Sequence, residues 1–219
     1  ADGREQMDYT LRVMGLILNR SDRAEEVIRF FDKLTDNLQN RVSTITEFQH
    51  RDAYIGGIPI DGKAPLSSTD PSYIPFSLVG VINSAASDNL PPSLRESGQL
   101  PDSAVRKISP DAFFVDLSTM RFKPAGIEEF EKDTDWSEMA AVREGEVYGL
   151  LPATLIRRNH EIDLINAYEV WKVLYPEKFT DVDPEVMADY ILAFLYGRPL
   201  YDQMNQAFNN MALSRLPVF

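Results

Sequence analysis

The sequence predicts an α/β protein: a three-layer lobe with a mostly parallel sheet flanked by helices, preceded by a long N-terminal helix. Three observations predict it. Short apolar runs at 53–55, 112–115 and 146–151 are closed by Gly56-Gly57, by Asp116-Leu117-Ser118-Thr119 and by Pro152, as strands buried on both faces would be. Helical stretches alternate with them, the arrangement that parallel crossovers require. Ahead of the first strand, one apolar stripe runs for about five turns at 3.6 residues per turn.

Taken in order, Met7, Leu11, Met14 and Leu18 share a helix face, and Asn19-Arg20-Ser21 breaks it. Asp22 and Glu25 then resemble a capping box. Val27, Phe31, Leu34, Leu38, Val42 and Ile45 form the long stripe, with Arg23, Glu26, Lys33, Asp36, Asn40 and Arg41 opposite. Such a stripe needs a partner along its whole length, and about three heptads are too few for a coiled-coil arm. The predicted division is therefore a helical segment, 1–48, and an α/β lobe, 49–219.

Within the lobe, Ala53-Tyr54-Ile55 is a strand ending at Gly56-Gly57. Residues 59–72, rich in Pro and Ser, form a loop, and Pro75 to Ile82 a short helix. The polar stretch from Ser84 to Pro101 is assigned no structure. Asp102 caps a short helix through Val105 and Ile108, Pro110 ends it, and the second strand follows. Helices are expected near 125–132 and 136–144, the latter stopped by Gly145 before the third strand. A helix from Glu161 to Tyr175 presents Leu164, Ala167, Tyr168, Trp171 and Tyr175 inward and Glu169 outward. Asp183-Pro184 opens a helix that stops at Gly197. A last helix, 202–213, leads to the apolar tail 216–219.

Composition narrows the function. The 219 residues carry a formal charge of −12 and a pI near 4.6, which argues against binding nucleic acid or an anionic membrane. Hydrophobic content of 44% excludes disorder. The absence of Cys excludes disulfides and thiolate chemistry. No run approaches the roughly 18 apolar residues of a membrane span.

Catalytic signatures are missing: there is no phosphate-binding G-x-x-x-x-G-K-[ST], no G-x-G-x-x-G and no G-x-S-x-G. His160-Glu161 begins like a zinc-protease helix, but Leu164 stands where the second His is needed. Glu128, Glu129, Glu131 and Asp133 read as a charged face, not an acid/base pair. No cofactor is called for.

What remains is the rim at the carboxyl ends of the strands, where open α/β sheets bind ligands. It gathers Gly57, the loop containing Lys63 and Asp70, then Asp116, Ser118 and Thr119, then Arg157, Arg158 and Asn159. Glycine, hydroxyls and adjacent guanidinium groups suit recognition of a polar or anionic ligand better than bond-breaking. Arg157 and Arg158 are equally readable as solvated loop residues, and Asp116 as a loop cap.

Several segments then carry a resemblance in order: Tyr54-Ile55-Gly56-Gly57-Ile58, Ser68-Thr69-Asp70-Pro71, Ile108 to Asp116, Trp136 to Tyr148, and Asn166 to Phe179 followed by Asp183-Pro184. Together they resemble the second lobe of extracytoplasmic substrate-binding proteins of ABC importers, in the group that captures iron complexes (siderophores), haem and cobalamin. The resemblance implies two lobes joined by a rigid helix, here the stripe from Val27 to Ile45, with ligand clamped between them. It implies that the first lobe, a signal sequence and a lipid anchor lie outside this chain. The implied partners are a metal-chelate ligand and an ABC permease. The permease-docking acid of the second lobe would be Asp70, in Ser68-Thr69-Asp70. After Pro152 the chain reads Ala153 to Arg158 in place of an aromatic- and Asn-rich pattern, which implies a more anionic ligand. Two other readings stay open: a stand-alone sensor or homodimeric interaction module of the same fold, and an enzyme of chelatase-like fold, which no visible acid, base or metal cluster supports.

Overall fold

The computed structural model describes residues 3–46, 49–88, 90–105, 107–122, 125–132, 134–153 and 158–217, in two compact units, 1–44 and 45–219.

The first unit is an antiparallel helical hairpin, α1 (Gly3–Ile17) and α2 (Ser21–Val42), turned at Asn19 with φ +53°. Its close approach runs through Gly15, not through Met14 and Leu18, which are exposed: a Cβ on Gly15 would stand 2.8 Å from that of Ala24. Arg4 donates to the Ile28 carbonyl and to Asp32, and lies 5.2 Å over the Phe31 ring. The expected capping box does not form. Helix α2 opens at Ser21 with Arg20, which has no side-chain acceptor, at its N-cap, so Asp22 falls inside the helix; Glu25 accepts instead from Arg12 Nε across the hairpin at 2.7 Å. Ala24, Ile28, Phe31, Leu34 and Leu38 are the buried stripe of α2, one residue round from the predicted Val27 at its start.

The second unit is a doubly wound α/β layer. Its elements run β1 (Asp52–Gly56), α3 (Ile74–Leu78), β2 (Ile82–Asn83), α4 (Pro92–Ser97), α5 (Asp102–Val105), β3 (Ala112–Asp116), α6 (Glu129–Lys132), α7 (Thr134–Ser137), α8 (Ala140–Arg143), β4 (Val147–Leu150), α9 (His160–Leu174), α10 (Pro184–Tyr196), α11 (Tyr201–Ala207) and β5 (Ser214–Arg215). The sheet order is β2-β1-β3-β4-β5, parallel except for β5. In register, Tyr54 pairs with Phe113 and Phe113 with Val147, which stacks them on one face. That face packs with Trp136, Phe130, Leu100 and Val105 from α4–α8 and the segments around them. On the other face Phe114 meets Phe76 of α3 and Tyr148, with α9 behind.

Four expectations change. Ile82 leaves the predicted helix and pairs with Asp52 as an edge strand, because Val79 and Gly80 end α3 early. The stretch 84–101 contains α4, started by Pro92 and stopped by Gly98 at φ +65°. Helix α9 is buried on almost every side, between the sheet and α10, so Glu169 is 5% exposed where an outward residue was predicted. The last helix ends at Ala207, and Ser214–Arg215 returns as β5. The predicted Asp183 cap is present, accepting from the Glu185 and Val186 amides. Asp133 and the tail residues Val218 and Phe219 lie outside the described residues.

Gly149 of β4 fixes how closely the C-terminal segment can approach. A Cβ there would lie 2.1 Å from the Met211 carbonyl oxygen, and Gly149 accepts from the Leu213 amide. We expect Gly149→Ala to separate β5 from β4 and cost about 3 kcal/mol, the range for overpacking a rigid contact. Urea unfolding checks it; an unchanged midpoint would show that the 211–215 segment yields freely.

Candidate ligand-binding site

The order β2-β1-β3 places a topological switch between β1 and β3, and in such sheets ligands lie outside the carboxyl ends there. Gly57, Asp116, Ser118 and Thr119 do converge at this point, but inward. Gly57, at φ +79°, donates its amide to Pro65 O and accepts from Ser118 Oγ at 3.4 Å. Thr119 Oγ1 donates to Ala64 O and accepts from the Gly126 amide, both at 2.6 Å. Asp116, 1% exposed, accepts from the Ser118 amide at 2.8 Å, and burial pushes its pKa up to about 7. These four residues lace the loop onto the strand ends; their polar groups are spent on backbone.

Lys63 stands exposed in a two-residue Asp61-Gly62 hairpin turn, both with positive φ, closed by paired Ile60 and Lys63 backbone bonds. Arg157 lies outside the described residues. Asn159 is exposed at the cap of α9, where its carbonyl accepts from the Ile162 and Asp163 amides.

Arg158 and Asp70 are brought together, and with them a residue that the sequence reading missed. Arg158 Nε lies 3.2 Å from Asp163 Oδ2, and Arg158 Nη2 lies 3.9 Å from Asp70 Oδ2. The Arg158 side chain is 34% exposed and that of Asp163 only 2%. His160 Nδ1 is 3.9 Å from the same Asp163 oxygen. Neither Asp163 oxygen receives a well-formed hydrogen bond from a described residue. Burial, with Asp70 and Glu161 nearby, pushes Asp163 up to about 7 against the opposing pull of Arg158. Asp70 also accepts from the Ser72 amide at 2.9 Å, so it serves as a turn cap as well as a facing charge. The signal that could have revealed Asp163 is a lone carboxylate inside Ile162-Asp163-Leu164-Ile165, an otherwise apolar run.

Beneath the cluster Asn166 fixes the end of β4. Its amide accepts from the Leu151 N–H, donates to the Leu151 carbonyl at 2.8 Å, and donates to Tyr73 Oη at 3.2 Å. A cavity of about 580 Å³ opens elsewhere, at the amino ends of β1 and β3, lined by Asp52, Asn83, Asp88 and Lys107. Among the described residues, no three His, Asp or Glu are grouped to hold a metal, and no helix is long and apolar enough to cross a membrane.

Residues 4–154 match the family described as periplasmic binding protein. The chain belongs to that family. Among solved structures, this periplasmic binding protein is similar to an ABC transporter solute binding protein from Sulfurospirillum deleyianum (TM-score 0.67, 16% identity, 94% of this chain and 62% of that one). It is similar to the molybdate periplasmic binding protein MolA of Haemophilus influenzae, bound to molybdate (TM-score 0.65, 15% identity, 90% and 57%). It is also similar to S. aureus IsdE complexed with heme (TM-score 0.55, 20% identity, 78% and 65%). The chain thus spans about three fifths of the length of these relatives. No curated protein matches the sequence.

Proposed function

We propose that the chain is the C-terminal, ligand-capturing lobe of a solute-binding protein that hands its cargo to an ABC importer outside the cytoplasm. The observation that carries this reading is Arg158, a part-exposed guanidinium at the strand ends of a periplasmic binding protein fold. The cargo is a metal chelate, an iron-siderophore, haem or cobalamin, bound through Arg158 and Asn159 with Lys63 and Arg157 contributing. A first lobe outside this chain closes over it, on a protein held to the membrane by lipid. Asp70 is the acid that docks on the permease. Binding energy shared between two lobes leaves each lobe with weak affinity alone.

Calorimetry with ferric siderophores, haem and cobalamin tests the reading. We expect at least one to bind, and Arg158→Gln to weaken it by roughly 10- to 100-fold, the worth of a charge-assisted hydrogen bond. Binding of none, or equal binding by the variant, overturns it. A second reading, a homodimeric sensor module, draws on the exposed Tyr9, Leu16, Ile17 and Leu18 of the hairpin. Sedimentation separates the two, since a tight symmetric dimer favours the module.

A further inference from the structure

Arg158 is held in a way that an open anion receptor would not be. Its guanidinium already faces two carboxylates, Asp163 at 3.2 Å and Asp70 at 3.9 Å. The two partners differ in what they can do when a ligand arrives. Asp70 lies on a part-exposed turn, and water can solvate its charge. Asp163 sits in the first turn of α9, its amide bonded to Asn159 O, flanked by buried Ile162 and Leu164. Its side chain is 2% exposed where that of Asp70 is 31%, so it has no comparable access to water. Of the pair, only Arg158 is reachable, so an incoming ligand meets a cation whose counter-ion is buried behind it.

We propose that Arg158 is the receptor for a carboxylate or oxoanion group of the cargo and that Asp163 is its displaceable counter-ion, so the site takes up the anion together with one proton. This inference rests on the solute-binding reading of the same rim. When the anion pairs with Arg158, the Asp163 carboxylate loses its compensating charge while remaining buried, a condition that a carboxylate meets by neutralising. The exchange balances: the Arg158–Asp163 ion pair, an anion and a proton from solvent become an Arg158–anion pair and a neutral Asp163 acid. The groups facing Asp163 from the packed elements are Arg158 and Asp70 from the loops, His160 and Glu161 from α9, and Tyr73 from the segment before α3. Asp70 and Glu161 repel its charge and favour the proton. Burial already lifts Asp163 to about 7, so the proton is accessible near neutrality.

The selectivity differs from that of an exposed arginine. Above about pH 7 a guanidinium already paired with a buried carboxylate rejects weak, diffuse anions such as chloride, and yields to a ligand that brings a directed oxygen pair. Anion plus proton is thermodynamically the uptake of an acid, so the site discriminates by pH as well as by shape.

Titration calorimetry of the full chain with sodium molybdate and with oxalate, both fully ionised above neutrality, tests the exchange. Runs in two buffers of different ionisation enthalpy give the protons taken up directly, without any variant. We expect uptake of close to one proton per anion near pH 8, and affinity falling about tenfold per pH unit above about 7. Asp163→Asn is expected to abolish uptake, flatten the profile and bind more tightly at pH 8. Anion binding without uptake, uptake retained in Asp163→Asn, or binding of neither anion at millimolar concentration each overturns the exchange. Chelate binding without uptake leaves solute capture standing while the exchange fails. Anion-linked uptake in a protein that binds no chelate does the reverse.

Discussion

Raising the pH from 5 to 7.5 is expected to destabilise the folded chain by at least about 2 kcal/mol, with a slope on the order of 1–4 kcal/mol per pH unit. Three carboxyls set the sign. Asp116, Asp163 and Glu169 are each buried, and burial lifts each pKa to about 7; Glu185 and Asp183 push Glu169 further the same way. The unfolded chain releases these protons near pH 4, while the folded chain holds them until about 7. Between those limits the folded state binds more protons, so stability is greatest at the acid end and is lost as pH rises through the folded-state values. Urea titrations at fixed pH steps measure the slope. Asp116→Asn, Asp163→Asn and Glu169→Gln should each remove part of it, whereas Asp36→Asn on the exposed face of α2 makes the same formal charge change without burial. A flat profile, or equal effects from Asp36→Asn and the buried variants, would show that overall charge and not burial governs it.

Asn166→Ala should cost about 4 kcal/mol. The substitution removes two hydrogen bonds to Leu151 and one to Tyr73, all among atoms that water does not reach. The Leu151 amide and carbonyl then remain buried without this partner, and the penalty exceeds the loss of the bonds themselves. Because Leu151 and Pro152 lead towards Arg158, the variant should also weaken ligand binding beyond what its stability loss explains. Chemical denaturation and calorimetry on one preparation check both. A loss under about 1 kcal/mol would mean that Leu151 finds other partners.

The parts of the fold legible in sequence are those with a dense local signal. Strands β1, β3 and β4 announce themselves because a strand covered on both faces is apolar throughout, and Asp183-Pro184 and Gly197 punctuate α10 unambiguously. Strands β2 and β5 carry no such signal: two residues each, one of them Arg215, they are strands only because a neighbour offers a ladder. Glu169 reads as an outward residue until α10 is known to lie against that side of α9. The rim shows the same divide. Strand-end position singles out Gly57, Ser118 and Thr119, but small hydroxyls near glycine serve loop closure as readily as ligand binding. Asp163 is easily passed over because acidic residues in a first helical turn are ordinary; the apolar run around it is its sequence signal, and burial is what makes it unusual.

The brevity of the outer strands has a consequence for self-association. A long edge strand offers free backbone groups on which another chain can polymerise. Here the sheet closes on one side with Ile82–Asn83 and on the other with Ser214–Arg215, and the Arg215 guanidinium folds back onto Glu146 and the Glu144 carbonyl. Each border thus presents only two residues of strand, and the second border carries a charged side chain at its end. Borders of two residues are too short to template a fibril.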